Sequence, residues 1–187
     1  MNTQISPLFN DIKQVLIDEE AIALRIREMG EKITQDYRGK DLILLCVLKG
    51  SLLFAPDLMR HIQVPLVLDF IAISSYGDAT STSGVVRIVK DLEESIENRH
   101  VLIVEDIVDT GLTLGYLIKA LKLRKPASIR TCTLLDKPVR RILEVPIDYK
   151  GFEIGDHFVV GYGLDFAGRY RNLPAIGILK DELINRA

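Results

Sequence analysis

Val101-Leu102-Ile103-Val104-Glu105-Asp106-Ile107-Val108-Asp109-Thr110-Gly111-Leu112-Thr113 is the stretch whose reading decides the fold. Its first four residues are apolar and mostly β-branched, which suits a strand buried on both faces in a parallel sheet with helices on either side. Charge follows at once. Glu105 and Asp106 are adjacent, so in extended geometry their side chains point to opposite faces, and one can reach a ligand while the other braces the loop. In Asp109 to Thr113 the glycine permits conformations that turn several backbone amides toward one point, where two hydroxyls join them. Leu112, Leu114, Leu117, Ile118 and Leu121 recur at helical spacing, so the loop sits at a helix N-terminus, where an anion is favoured. Strand, acids, loop and helix describe a phosphate cradle. Carboxylates beside it would repel an anion unless they bind sugar hydroxyls or a magnesium ion, and a phosphorylated sugar carrying Mg²⁺ satisfies both requirements.

The rest of the chain is built to carry one such site. With 187 residues, 48% of them hydrophobic, it can bury a sizeable core as one domain with a small appended subdomain. A net charge of -2 gives no broad basic field for nucleic acid, and no apolar run approaches a membrane span. Met1 to Asn10 has neither a basic start nor an apolar signal core, so a cytoplasmic location is expected. Cys46 and Cys132 lie in apolar strand-like runs, which favours buried reduced thiols over a disulfide or a metal site. His61, His100 and His157 are isolated from each other and from the cysteines, giving zinc little support.

Outward from the cradle, the pattern alternates strands and helices. Ile12 to Ile17 reads as a short strand, and Asp18, Glu19 and Glu20 place a cap and negative charge at a helix start. Ile22, Ile26, Met29, Ile33 and Tyr37 form that helix's apolar face, with Arg25, Arg27, Glu28, Glu31 and Lys32 mostly opposite, until Gly39 stops it. Asp41 to Leu48 is an apolar strand ending in Lys49-Gly50-Ser51, a small loop offering a cation and amides. Leu52 to Ile62 reads as a helix, in which Pro56 either lies in the first turn or kinks it. Leu66 to Ser74 and Val85 to Val89 are strands joined by ten small and polar residues, Ser75 to Gly84, a plain hairpin connection or a lid. Ala127 to Leu135 is a further strand, broken by Asp136-Lys137-Pro138. Lys137 either faces solvent or serves a ligand at the carboxyl end of the sheet. Phe158 to Tyr162 reads as a strand with Asp165 just beyond it, and the plain account of these is a core aromatic and a turn aspartate.

Four apolar residues, two acids, three further positions and Thr-Gly-x-Thr resemble the phosphoribosyl-pyrophosphate signature of type I phosphoribosyltransferases. The resemblance extends from about residue 12 to the C-terminus. Leu48-Lys49-Gly50 is similar to the pyrophosphate loop of the family's hypoxanthine-guanine branch, whose Leu-Lys peptide is able to adopt the cis form. Ser75-Tyr76 matches the pair on a lid that closes over the reacting pyrophosphate. Phe158-Val159-Val160-Gly161-Tyr162-Gly163-Leu164-Asp165 is similar to the branch's base-binding hood. One departure is Phe166-Ala167-Gly168, where bacterial relatives usually carry Tyr-Ala-Glu.

The resemblance implies an α/β fold of the type I phosphoribosyltransferase kind, a central mainly parallel sheet flanked by helices with a small hood subdomain. Residues 1–187 would then be a single domain, the hood formed by N-terminal residues and part of the C-terminal third. It implies Mg²⁺-dependent transfer of 5-phosphoribosyl from phosphoribosyl pyrophosphate to N9 of hypoxanthine or guanine. In that scheme Lys49, Gly50, Glu105, Asp106, Thr110, Gly111, Thr113 and Arg171 bind phosphoribosyl pyrophosphate. Lys137 reads the 6-oxo group, Phe158 stacks on the purine, and the Val159 backbone bonds its edge. Glu105, Asp106 and Asp165 serve Mg²⁺, and Asp109 handles the purine N7 proton. Relatives form homodimers or homotetramers. Two other readings stay open: a xanthine-preferring transferase, and a non-catalytic sensor of phosphoribosyl pyrophosphate.

Overall fold

The structure is a computed structural model that describes residues 7–76 and 85–184. Nine strands form two sheets. The larger takes the order β4-β3-β2-β5-β6-β7, from β2 (Leu42–Leu48), β3 (Leu66–Tyr76), β4 (Val85–Lys90), β5 (His100–Val108), β6 (Ser128–Asp136) and β7 (Tyr149–Glu153). Only β4 runs antiparallel to its neighbour, the other pairings being parallel. The smaller sheet joins both ends of the chain, pairing β1 (Ile12–Ile17), β9 (Ile176–Leu179) and β8 (Val159–Val160) antiparallel.

β2 and β5 are buried along most of their length because both faces of the sheet are covered, and this accounts for their unbroken apolar runs. One face packs under α1 (Glu19–Asp36) and α2 (Phe54–Arg60), with Ile22, Ile26, Met29, Ile33, Phe54 and Leu58 in its core. The other packs under α3 (Leu112–Lys122), through Leu114, Leu117, Ile118 and Leu121. Asp18 caps α1 as its position predicts, accepting from the Ala21 amide at 2.8 Å. A four-residue helix, α4 (Asp181–Ile184), follows β9.

From β2 the chain crosses through α2 to β3 on one side, and from β5 it crosses through α3 to β6 on the other. The order therefore reverses between β2 and β5, and the crevice outside their carboxyl ends is where open α/β sheets bind ligands.

Several elements differ from the sequence pattern. β5 continues through Glu105 and Asp106 to Val108, held in register on β6 by Glu105↔Thr133 and Val108↔Asp136. β3 runs on through Ser75 and Tyr76, paired with Val86 and Val85, so these two extend a hairpin strand instead of opening the loop. The remainder of that loop, residues 77–84, lies outside the described residues. Helix α2 is shorter than the Leu52–Ile62 expectation, preceded by a 3₁₀ turn over Gly50–Leu52, and Pro56 falls in its first turn. The strand at Phe158 stops after Val160, since Gly161, Tyr162 and Gly163 take φ values of 100°, 48° and 99°. Arg25, expected on the solvent side of α1, instead donates to the carbonyls of Lys150 and Gly151 at 2.6 and 3.0 Å and ties the helix to β7.

Candidate active site

A cavity of about 230 Å³ opens at the β2/β5 crevice. Its walls are the end of β2, Gly50, Ile73 of β3, and the run from Glu105 to Gly111 with Thr113 and Leu114. Glu105 and Asp106 both line it, where alternation along a strand suggests opposite faces. The Asp106 carboxylate lies directly against Gly50, where an added Cβ would come within 1.6 Å of Oδ2. Burial pushes the Glu105 carboxyl well above its usual range, and the neighbouring Asp106 charge adds to this. Burial likewise raises Asp106 to about 6, opposed by backbone amides at Asp106 and Ile107 and by the charge of Arg171.

Asp109 follows in the same wall. One of its carboxylate oxygens is buried with no hydrogen-bond partner among the described residues, which is costly unless a ligand supplies one. Gly111 then turns the chain with φ +80° at the N-cap of α3 and has no side chain to cap it, so the Leu112 amide is left with a long 3.4 Å contact to the Thr110 hydroxyl. The next amides of the first helical turn, at Thr113 and Leu114, belong to residues that line the cavity and remain available to a ligand. A side chain at Gly111 would strike the Leu143 carbonyl, since its Cβ would sit 2.1 Å away. The loop is thus held from behind, with the Thr110 carbonyl accepting from the amides of Ile142 and Leu143 at 2.9 and 3.0 Å.

The second loop meets the first across the crevice. The Leu48–Lys49 peptide is cis, as the resemblance implies, and Lys49 is exposed. Ser51 is buried behind it, donating to the Val47 carbonyl at 2.5 Å. Against Gly50 lies the segment carrying Asp165 and Arg171: a Cβ on Gly163 would come within 2.0 Å of the Gly50 carbonyl. Arg171 donates to the Gly163 carbonyl at 2.6 Å and pairs with Asp165 at 2.5 Å. The other Asp165 oxygen accepts from the Gly168 amide at 2.7 Å. Tyr162 fixes this segment to α2, its hydroxyl donating to Asp57 at 2.5 Å.

Lys137 lies just beyond the carboxyl end of β6. It is 5% exposed rather than solvent-facing, its amide donating to Val108 and its ammonium to the His157 carbonyl at 3.0 Å and Asp156 at 2.9 Å. Phe158 follows, 48% exposed, with its ring edge-on to Phe166 at 5.5 Å between centroids. Val159 is buried at the start of β8. Ser75 and Tyr76 are located by backbone pairing on β3.

Two contacts in this arrangement carry no signal in the sequence. Asp57 and Tyr162 are 105 residues apart and meet only through the fold. Arg141, which no motif in the sequence singles out, has its side chain buried against Asp136.

No cluster of three or more His, Cys, Asp or Glu side chains able to hold a metal occurs among the described residues. The acid pair Glu105–Asp106, short of positive charge and made of oxygen donors, fits a hard cation that takes one or two carboxylates and completes its shell with ligand oxygens and water.

Comparison with known proteins accords with this geometry. Residues 14–167 match the phosphoribosyl transferase domain family. The chain belongs to that family. It is 51% identical over 171 residues to a hypoxanthine-guanine phosphoribosyltransferase of Bacillus subtilis (strain 168), covering 91% of this chain and 95% of that one. It is 49% identical over 176 residues to a bifunctional TilS/HprT protein of Listeria monocytogenes (strain F2365), covering 94% of this chain but spanning only 27% of that longer protein. A crystal structure of a hypoxanthine phosphoribosyltransferase from Staphylococcus aureus superposes with a TM-score of 0.92 at 48% identity, covering 96% of this chain and 98% of that one. This phosphoribosyltransferase chain therefore shares its fold with that Staphylococcus aureus protein over 96% of its length. No helix among the described residues is long and apolar enough to cross a membrane.

Proposed function

We propose that the protein transfers 5-phosphoribosyl from phosphoribosyl pyrophosphate to N9 of hypoxanthine or guanine, giving IMP or GMP and pyrophosphate in purine salvage. The observation that carries this is the cradle: a helix start with glycine at its N-cap and a buried Asp109 oxygen without a partner among the described residues, beside two carboxylates with raised proton affinity. Such a wall suits a ligand that brings an anion, hydroxyls and a cation together. Mg²⁺, held by Glu105 and Asp106 with a second ion at Asp165, would supply charge neutralisation to the departing pyrophosphate.

The residues divide the work by position. Amides and hydroxyls of Thr110, Gly111 and Thr113 hold the 5-phosphate, and this remote binding positions the ribose C1. Glu105 and Asp106 hold the ribose hydroxyls, directly or through the cation, and place negative charge near C1 as it becomes cationic. Lys49, Gly50 and Arg171 receive the pyrophosphate, Arg171 exchanging its pairing with Asp165 for the ligand. Ser75 and Tyr76 belong to a lid that keeps water from the reacting centre. Lys137 donates to the 6-oxo group, where adenine offers no acceptor, Phe158 stacks on the ring, and the Val159 backbone reads its edge. Asp109 takes or shares the purine N7 proton as N9 attacks.

The small sheet and the segment following it serve as the hood over the base. Dimers or tetramers form through surfaces near the Lys49 loop, where Leu52 and Leu53 are exposed apolar side chains. Two buried thiols, Cys46 and Cys132, suit a reducing cytoplasm. Nucleic acid is not a partner, in keeping with a net charge of -2.

The test is steady-state nucleotide formation with Mg²⁺ and phosphoribosyl pyrophosphate against hypoxanthine, guanine, xanthine and adenine in parallel. Turnover on the first two and none on adenine is expected. Preference for xanthine would reassign the purine contacts, and binding of the sugar phosphate with no turnover on any base would replace catalysis by sensing.

A further inference from the structure

Behind the cradle lies a buried charge cluster that the scheme above does not use. Asp136 ends β6 immediately before Lys137 and is 3% exposed. Its carboxylate pairs with the Arg141 guanidinium on one oxygen and with the Lys150 ammonium at 2.5 Å on the other. The Arg141 side chain is buried too, and its Nη2 also reaches the Val108 carbonyl at 3.4 Å, at the carboxyl end of β5. That same carbonyl accepts from the Lys137 amide at 3.0 Å. One guanidinium thus touches the last residue of both strands from which the phosphate loop and Lys137 depart.

The chain just after Arg141 continues the contact. The amides of Ile142 and Leu143 both donate to Thr110, and the Leu143 carbonyl fills the space that a side chain at Gly111 would need. The Arg141 stem is part of the same wall, its Cδ lying 3.2 Å from the position of a Gly111 Cβ. A buried guanidinium whose Nη2 meets both a carboxylate and a carbonyl has little freedom to move, so Arg141 fixes where residues 142 and 143 meet the loop.

We infer that Arg141 is a positioning residue that locks the 5-phosphate loop and Lys137 into one unit, setting the distance between the two ends of a bound nucleotide. The inference rests on the substrate reading above. It predicts a selective defect, because IMP spans both the phosphate loop and Lys137, whereas pyrophosphate binds on the Lys49 side of the crevice and touches neither.

Arg141→Met is the informative variant. It keeps the stem's packing, and Asp136 retains Lys150, so no buried charge is stranded. Calorimetric titration with IMP and, separately, with Mg-pyrophosphate should show IMP binding weakened roughly tenfold, the scale of losing a charged hydrogen-bond bridge, with pyrophosphate affinity unchanged. Arg141→Lys keeps the charge but is shorter and lacks the planar group, and should fall between. Should Arg141→Met not fold, Arg141→Lys carries the same test. Lys150→Met removes the partly exposed partner of Asp136 and should leave both affinities as they were. Unchanged IMP binding in the Arg141 variants, or a parallel loss of IMP and pyrophosphate, would overturn the assignment. Wild-type protein that binds neither probe would instead overturn the substrate reading and this inference with it.

Discussion

At the carboxyl end of β5, Glu105, Asp106 and Asp109 make no ion pair among the described residues, and one Asp109 oxygen has no partner at all. On the base side and in the segments beside it the charges are already paired: Lys137 with Asp156, Arg171 with Asp165, Arg141 with Asp136. The first region carries unmatched charge that a ligand must satisfy, and the second has its ion pairs formed without one, with Arg141 Nε its one buried nitrogen lacking a partner among the described residues. A cradle built this way gains binding energy only when the right cation and hydroxyls arrive, and the free protein bears the electrostatic cost. The paired side can hold its shape in the free protein and exchange internal partners for ligand ones.

Asp109→Asn probes the unmatched region hardest. It keeps size and shape while removing the proton acceptor, so kcat should fall by roughly 10²- to 10⁴-fold with substrate affinities little changed. Presteady-state and steady-state nucleotide formation would measure it. Unchanged turnover would remove Asp109 from the chemistry and leave its buried oxygen as a purely structural vacancy.

Asp106→Asn tests the cost itself. Burial raises this carboxyl from 3.8 to about 6, so its contribution to stability is greatest at acid pH and is lost as pH rises through about 6. At neutral pH the ionised group therefore weakens the fold, and the neutral isostere should raise the melting temperature. For a chain of this size each 1 kcal/mol recovered corresponds to about 2–4 °C. Affinity for Mg-phosphoribosyl pyrophosphate should drop by roughly tenfold in the same variant, since a charge-assisted contact is lost. Thermal melts and titration of the sugar phosphate check the two halves. A lower melting temperature would mean that Asp106 is matched internally after all, and the contrast between the regions would narrow.

The two regions also differ in how far the sequence discloses them. The cradle is contiguous, so strand composition, acids, glycine and helical spacing all fall within residues 101–121 and need no tertiary information. The parallel sheet follows from the same pattern, because unbroken apolar runs reflect burial on both faces. The base side is gathered from distant places. β9 is four residues long and β8 two, and such short strands exist by pairing with each other and with β1 rather than by their own propensity. β7 begins a stretch rich in glycine and polar residues and is fixed by its register on β6. Phe158 to Tyr162 has the composition of a strand, but the left-handed run at Gly161, Tyr162 and Gly163 ends it early so that Tyr162 can reach Asp57. No motif singles out Arg141, since nothing local shows that Asp136 and Val108 close over it.

The smallest effect is expected at Phe166, one of the two positions, with Gly168, at which the sequence departs from the family resemblance. Its ring meets the half-exposed Phe158 edge-on at 5.5 Å, and an interplanar angle of 81° is the favoured geometry for an aromatic pair. Phe158 is half-exposed, so the Phe166 ring restricts the ring on which the purine would stack in the proposed function. Phe166→Ala should raise the KM for hypoxanthine by roughly two- to tenfold, the range that a pair contact of about 0.5–1.5 kcal/mol allows, with kcat and the KM for phosphoribosyl pyrophosphate unchanged. Phe166→Tyr keeps the ring and should remain within about twofold of the parent, the hydroxyl adding little to the contact. If Phe166→Ala raises the KM for the sugar phosphate instead, the turn from Asp165 to Arg171 depends on this ring. The base side would then be less self-sufficient than its internal ion pairs imply.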